Sequence, residues 1–176
     1  MNTQVTQVVA AIGSTGLLIC ALPGIAFADK LLPAQIVVLH PAVPAPTYLD
    51  LGAPGDSVGD MRIWHFAGKT VSGEPVVIDW IMTTTSLNAK GPGIESRVSI
   101  GIFSFKGADG DQITLLGTGL YSQSANTFKD LVLDRGISGG SGKYSGIMGD
   151  VKSTHLSNGS WKHVFNLKST SPMIIK

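Results

Sequence analysis

The chain has 176 residues, of which 43% are hydrophobic and only 14% are charged, and its formal net charge is +1. This length predicts a single domain, and the balanced charge provides no basic field for nucleic acid and no acidic field for cations. A single Cys excludes an internal disulfide framework and a Cys-rich zinc or iron–sulfur site.

The N-terminal segment has the composition of an export signal. Residues 1–28 contain no Asp, Glu, Lys or Arg, and they end in Ala26-Phe27-Ala28 after a long apolar run. Small residues three and one positions before the cut predict signal-peptidase cleavage after Ala28. The alternative is an uncleaved membrane anchor, but the helix breakers Pro23 and Gly24 favour cleavage. We therefore expect a signal peptide at 1–28, one domain at 29–176, and a secreted or periplasmic protein that leaves the membrane after cleavage.

The rest of the chain is predicted to be all-β. Five prolines between residues 29 and 55 confine the first part to short extended pieces at 36–40 and 47–51. Runs rich in β-branched and aromatic residues then alternate with glycine turns, at 60–66, 75–85, 96–105, 112–121, 131–137, 149–156 and 160–167. Asp109-Gly110 and Asn158-Gly159 are typical hairpin turn pairs. About eight strands with short turns predict a closed barrel or a two-layer sandwich.

The most distinctive motif is a glycine-rich segment, GGSGKYSGIMGDV, at residues 139–151. No helix is predicted after it, which excludes a nucleotide-binding loop, and the glycines favour a sharp loop anchored by Tyr144. The segment resembles one in the allene oxide cyclase family and its plant dirigent relatives. Three further blocks agree in order with bacterial members of that superfamily: LDLGAPGDSVGD at 49–60, GADGDQIT at 107–114 and GSWKHVFNL at 159–167.

The resemblance implies an eight-stranded antiparallel β-barrel with an apolar lumen, commonly trimeric. Several runs are apolar on both faces, which favours a homo-oligomer, a trimer or a dimer. The implied activity is that of a cofactor-free cyclase or isomerase acting on an apolar or phenolic small molecule. The first strand ends in His40 and has no Glu, the carboxylate that the cyclases place there, so allene oxide cyclisation itself is not predicted. The alternative function is a non-catalytic exported barrel that binds a ligand or serves in assembly.

Six residues are candidates for the site that the resemblance implies. Asp79 shares its strand face with Val77, Ile81 and Thr83, and the resemblance assigns that face to the lumen, where a carboxylate suits acid–base chemistry. The alternative is an outward Asp79 that pairs across strands with Arg97 or Arg62. His40 is the second catalytic candidate, as a general base. The candidates for binding substrate are Arg97, Tyr121, Trp80 and Thr83, the last at the position of a lumenal Cys in the cyclases.

No metal site is predicted. His155 and His163 flank the Asn158-Gly159 turn, and a two-residue loop would place Thr154 opposite His163. The two imidazoles would then point to opposite faces of the sheet and could not share a metal.

Overall fold

The computed structural model describes residues 34–123 and 132–169; the predicted signal peptide lies outside them. The described chain forms nine strands: β1 (Gln35–His40), β2 (Thr47–Leu49), β3 (Met61–Thr70), β4 (Pro75–Ser86), β5 (Ile94–Phe105), β6 (Asp111–Ser122), β7 (Val132–Gly140), β8 (Ile147–His155) and β9 (Trp161–Ser169). Within these residues, no helix has the length and apolar character needed to cross a membrane.

Eight of the strands close into an antiparallel barrel. From β3 to β9 each strand pairs with the next, β9 pairs with β1, and β1 closes the ring by pairing Val38 with Thr70 of β3. The short β2 pairs with the free part of the same edge of β3, beyond the end of β1. The predicted closed barrel is therefore confirmed, and closure leaves few unpaired strand edges.

Alternation along each strand separates a packed interior from the outer surface. On β4 the inward set is Val76, Ile78, Trp80 and Met82, all buried. The inward side chains of β5 and β9 continue this core with Phe103, Phe105 and Phe165, and the rings of Phe103 and Phe165 meet edge to face. These aromatic side chains fill one part of the lumen, while the part near the end of β1 stays open.

The middle of the glycine-rich segment, residues 141–146, forms the connection between β7 and β8, and the sharp loop predicted there is confirmed. Residues Gly142–Tyr144 make one short 3₁₀ turn, and the Tyr144 ring is buried 5.0 Å from the ring of Phe105. Gly142 has a φ of +60°, and a Cβ there would lie 2.1 Å from Oδ1 of Asp111. Only glycine meets both conditions, which explains the composition of the loop.

The strand predictions agree with the structure to within a few residues, but the turns differ. Asp109-Gly110 lies in the β5–β6 hairpin loop, yet the positive φ angles are at Lys106 and Gly107. Gly110 is required for a different reason, since a Cβ there would overlap the carbonyl oxygen of Phe105.

Candidate functional site

The open part of the lumen is a cavity of about 300 Å³ near the end of β1 and the β8–β9 turn. Its walls are mainly aromatic, and none of the described residues that line it is a carboxylate. The lining residues are His40, Ala42, Val43, Trp64, Phe66, Trp80, Met82, Arg135, His155, Gly159, Trp161 and His163. Flat rings on several strands therefore surround a space large enough for a small aromatic molecule.

Two buried histidines in this wall form a directed chain of hydrogen bonds. His40 Nδ1 lies 2.7 Å from the carbonyl oxygen of Pro41, which can only accept, so Nδ1 carries the proton. In the neutral ring Nε2 is then an acceptor, and His163 Nε2 donates to it over 3.0 Å. His163 Nδ1 is left to accept from Ser153 Oγ at 2.8 Å. The chain runs from Ser153 through both imidazoles to Pro41.

Burial keeps both imidazoles neutral. It lowers the pKa of His40 to about 4, although the hydrogen bond to Pro41 acts in the opposite direction. Burial also lowers the pKa of His163 well below its usual value, and repulsion from His40, whenever it is protonated, and from Arg135 lowers that pKa further. Both nitrogens of His40 are occupied, so a general-base role for His40 would first require breaking its bond to His163.

A buried arginine and a tryptophan form another part of the cavity wall. The Arg135 guanidinium lies over the Trp80 ring at 5.0 Å from the ring centre, and its Nη2 donates to the Tyr121 hydroxyl. Glycines on the inward faces of β5 and β6 make room for both side chains: a Cβ at Gly101 would lie 2.6 Å from the Trp80 ring, and one at Gly117 2.8 Å from Arg135 Cγ. The close approach of the backbone allows both groups to lie flat against the wall.

No family model matches the chain, and no curated protein is similar enough in sequence to match it. Two solved structures are similar in fold. A pyocyanin demethylase is 18% identical, with a TM-score of 0.54 over 76% of this chain and 99% of that chain. A pterocarpan synthase dirigent protein is 14% identical, with a TM-score of 0.51 over 89% of this chain and 96% of that chain. The fold is a dirigent-like barrel. At these identities the likeness concerns the fold alone.

Two of the predicted site residues of this dirigent-like barrel, His40 and Trp80, line the cavity. Tyr121 is buried behind Arg135, and its hydroxyl lies 3.3 Å from Ser99 Oγ. Arg97 belongs to a separate buried cluster, in which it and Arg62 share the carboxylate of Glu95. The guanidinium of Arg97 lies over the Tyr121 ring at 4.8 Å, but Arg97 is not among the lining residues.

The expected lumenal placement of Asp79 and Thr83 is wrong, because both are on the outer face of β4. Asp79 Oδ1 lies 2.7 Å from His65 Nδ1 on the neighbouring strand, and the Asp79 side chain is 46% exposed. The strand is apolar on both faces around Asp79, which hides the alternation. The sequence nevertheless contained the signal, because residues 76, 78, 80 and 82 are uniformly apolar while the other set includes Asp79 and Thr83.

The prediction of a two-residue turn between β8 and β9 is also wrong. Leu156 and Ser160 are paired by a backbone hydrogen bond, which leaves a three-residue loop and places Ser153 opposite His163. His155 and His163 therefore point to the same side and both line the cavity. Among the described residues, no three His, Cys, Asp or Glu side chains are grouped so that they could hold a metal.

The sequence analysis did not identify Arg135 as a site residue, although the alternation of inward and outward residues along β7 indicates its position. Arg135 lies between Leu133 and Ile137 on the inward face of β7, so an apolar set has a cation at its centre. Such a position is unusual, since arginine is rarely fully buried without a partner.

Proposed function

We propose that the protein binds an apolar or phenolic planar small molecule in the barrel lumen and steers a rearrangement of it without a cofactor. The observation that carries this proposal is the cavity of about 300 Å³ walled by aromatic rings, Trp64, Phe66, Trp80 and Trp161 among them. Faces and edges of such rings favour flat, unsaturated ligands and contribute large contact areas. The two similar structures, named for a pyocyanin demethylase and a pterocarpan synthase, support small-molecule chemistry in barrels of this shape.

The steering in this proposal acts through orientation and exclusion of water. None of the described lining residues is a carboxylate, and the buried imidazoles are neutral and hydrogen-bonded to one another. A flexible or reactive ligand held between rigid aromatic walls has few accessible conformations, which favours one product of an intramolecular reaction. Asp79, on the outer face of β4, takes no part in the proposed steering.

Binding is tested by obstructing the mouth of the cavity. Ala42 lines the cavity and Ala67 is exposed on the outer face of β3, so Ala42→Trp and Ala67→Trp form a matched pair. Intrinsic tryptophan fluorescence is titrated with a panel of planar aromatic compounds. We expect Ala42→Trp to weaken binding by about tenfold or more and Ala67→Trp to leave it within about twofold of wild type. Equal effects of the two substitutions would contradict a lumenal site.

Turnover separates steering from simple binding, the second candidate function. Each compound that binds is incubated with protein and recovered, and isomers of unchanged mass are resolved by chromatography. Conversion to one isomer or enantiomer supports steering, whereas recovery of every compound unchanged supports a non-catalytic carrier. The lack of carboxylates among the described lining residues is the observation that favours the carrier.

A further inference from the structure

The side chain of Arg135 has a buried charge that its surroundings only partly satisfy. Arg135 is 3% exposed, and Nη2 donates to the Tyr121 hydroxyl. Among the described residues, neither Nε nor Nη1 has a hydrogen-bond partner, and no carboxylate forms an ion pair with the guanidinium. Removing a charged group from water without a compensating partner is costly, so this arrangement requires a reason.

Arg97 shows how the same barrel neutralises a buried arginine with a carboxylate, although Nη1 of Arg97 also has no hydrogen-bond partner among the described residues. It is equally buried, and its Nε donates to Glu95 Oε1 over 2.7 Å while its Nη2 reaches the same carboxylate. Arg62 pairs with Glu95 as well, at 3.1 Å, and Thr84 donates to it. This cluster provides its own anion, whereas among the described residues Arg135 has the hydroxyl of Tyr121 and the face of Trp80 as its polar contacts and no carboxylate.

Arg135 differs from Arg97 in one further respect: it lines the cavity. The Trp80 ring, on which the guanidinium stacks, lines it too, and Trp80 Nε1 is a second buried donor without a partner in the described chain. The side chains of Arg135 and Trp80, each with a buried donor that lacks a partner, therefore lie together in the cavity wall, with those nitrogens covered by neighbouring protein atoms. A site with this distribution favours a ligand that is mostly apolar and has an acceptor at one end.

We infer that the ligand of the lumen has an anionic oxygen that pairs with Arg135 while its ring system lies among the aromatic walls. The inference rests on the proposed binding function and narrows its ligand class to acidic aromatic molecules. An anionic oxygen would give Arg135 the charge partner that Glu95 gives Arg97. Hydrogen bonds in which both partners are charged are the strong ones, and a dry cavity strengthens them.

The test compares two probes of the same shape, 2-naphthoate and its uncharged amide, 2-naphthamide. Dissociation constants are measured by calorimetry with wild-type protein at pH 7.5. We expect 2-naphthoate to bind about tenfold more tightly than 2-naphthamide. Equal binding of the two probes would overturn the inference and leave the proposed function standing, whereas binding of neither would overturn both.

Two substitutions assign the preference to Arg135. Arg135→Met should reduce the ratio of the two dissociation constants to about one. Gly117→Ala keeps the charge but displaces the side chain, since the new Cβ would lie 2.8 Å from Arg135 Cγ. Gly136→Ala is its matched control, because a Cβ there faces outward and meets nothing nearer than the Leu116 carbonyl oxygen at 4.0 Å. A full preference for 2-naphthoate in Gly117→Ala, or an equal loss in Gly136→Ala, would contradict the assignment even where Arg135→Met does not fold.

Discussion

At the scale of single residues, the buried His40–His163 pair makes the stability of the folded chain depend on pH. The folded protein holds His40 neutral, with its pKa lowered to about 4, while the same group in the unfolded chain titrates near its ordinary value of 6.5. Between these values the unfolded state binds a proton that the folded state does not. Stability is therefore lost as the pH falls through this window, and the lowered pKa of His163 acts in the same direction.

The loss of stability at low pH can be measured and compared with an expected value. For His40 alone, the free energy of unfolding should fall by about 2 kcal/mol between pH 7 and pH 5, a range above the titration of most carboxylates. Chemical denaturation at intervals across this range, on wild type and His40→Gln, isolates the contribution. His40→Gln removes the titrating group, so its stability should depend less steeply on pH. Parallel curves for the two proteins would contradict the neutral, buried state of His40.

Site residues were harder to predict from the sequence than strands, and Asp79 and Arg135 show why. Both are charged residues on β-strands, and a charge on a strand is ordinarily an outward residue. Asp79 follows this rule, with His65 as its neighbour, whereas Arg135 breaks it. Arg135 can point inward because of two residues that are remote from it in sequence. Gly117 on β6 leaves space for its side chain, and Tyr121 supplies a hydroxyl that accepts its hydrogen bond. Only the pairing of β6 with β7 brings these residues together.

At the scale of elements, one residue in the β8–β9 loop determines which side chains reach the cavity. A two-residue Asn-Gly turn would have placed Thr154 opposite His163, but the loop contains Ser157 as well, and Ser153 takes that position. Ser153 Oγ then donates a hydrogen bond to His163 Nδ1. Because a shift of one residue exchanges the two faces of a strand, strand positions were predictable here while side-chain directions were not.

The conformation of this loop depends on Gly159. Its φ is +83°, in the left-handed region, and it also lines the mouth of the cavity. Gly159→Ala should therefore lower the free energy of unfolding by about 1–2 kcal/mol through backbone strain. Denaturant titration measures the loss, with Gly136→Ala as the control, since Gly136 is in a regular outward strand position. An unchanged midpoint in Gly159→Ala would contradict the left-handed conformation.

At the scale of the whole molecule, the fold was accessible from the sequence because many weak signals agree. Strand-length apolar runs, glycine turns and four ordered blocks all predict one antiparallel barrel, and the pairing of β1 with both β9 and β3 closes it. Cleavage after Ala28 and export stay predictions, since they concern residues outside the described chain. The expected oligomer also stays a prediction, but the outer surface now indicates where its interface would be.

A row of four apolar side chains crosses the outer face of β3 to β6. Ile63 is paired with Ile81, Ile81 with Ile100, and Ile100 with Leu116, and all four point away from the lumen. Ile100 is 41% exposed and Leu116 is 46% exposed in the single chain. Cross-strand neighbours of this kind form a continuous apolar surface, which is typical of a contact between subunits. We propose that a second copy of this chain covers it, in a trimer or a dimer.

Light scattering coupled to size-exclusion chromatography tests this proposal. Wild type should elute with the mass of a trimer or a dimer, and Ile100→Glu should shift it to the monomer, because a carboxylate buried in an apolar contact has no partner there. Met148→Glu is the matched control: Met148 is 53% exposed on β8, on the opposite wall of the barrel. We expect Met148→Glu to keep the wild-type mass. A monomeric wild type, or dissociation by Met148→Glu alone, would move the interface away from β3–β6 or remove it.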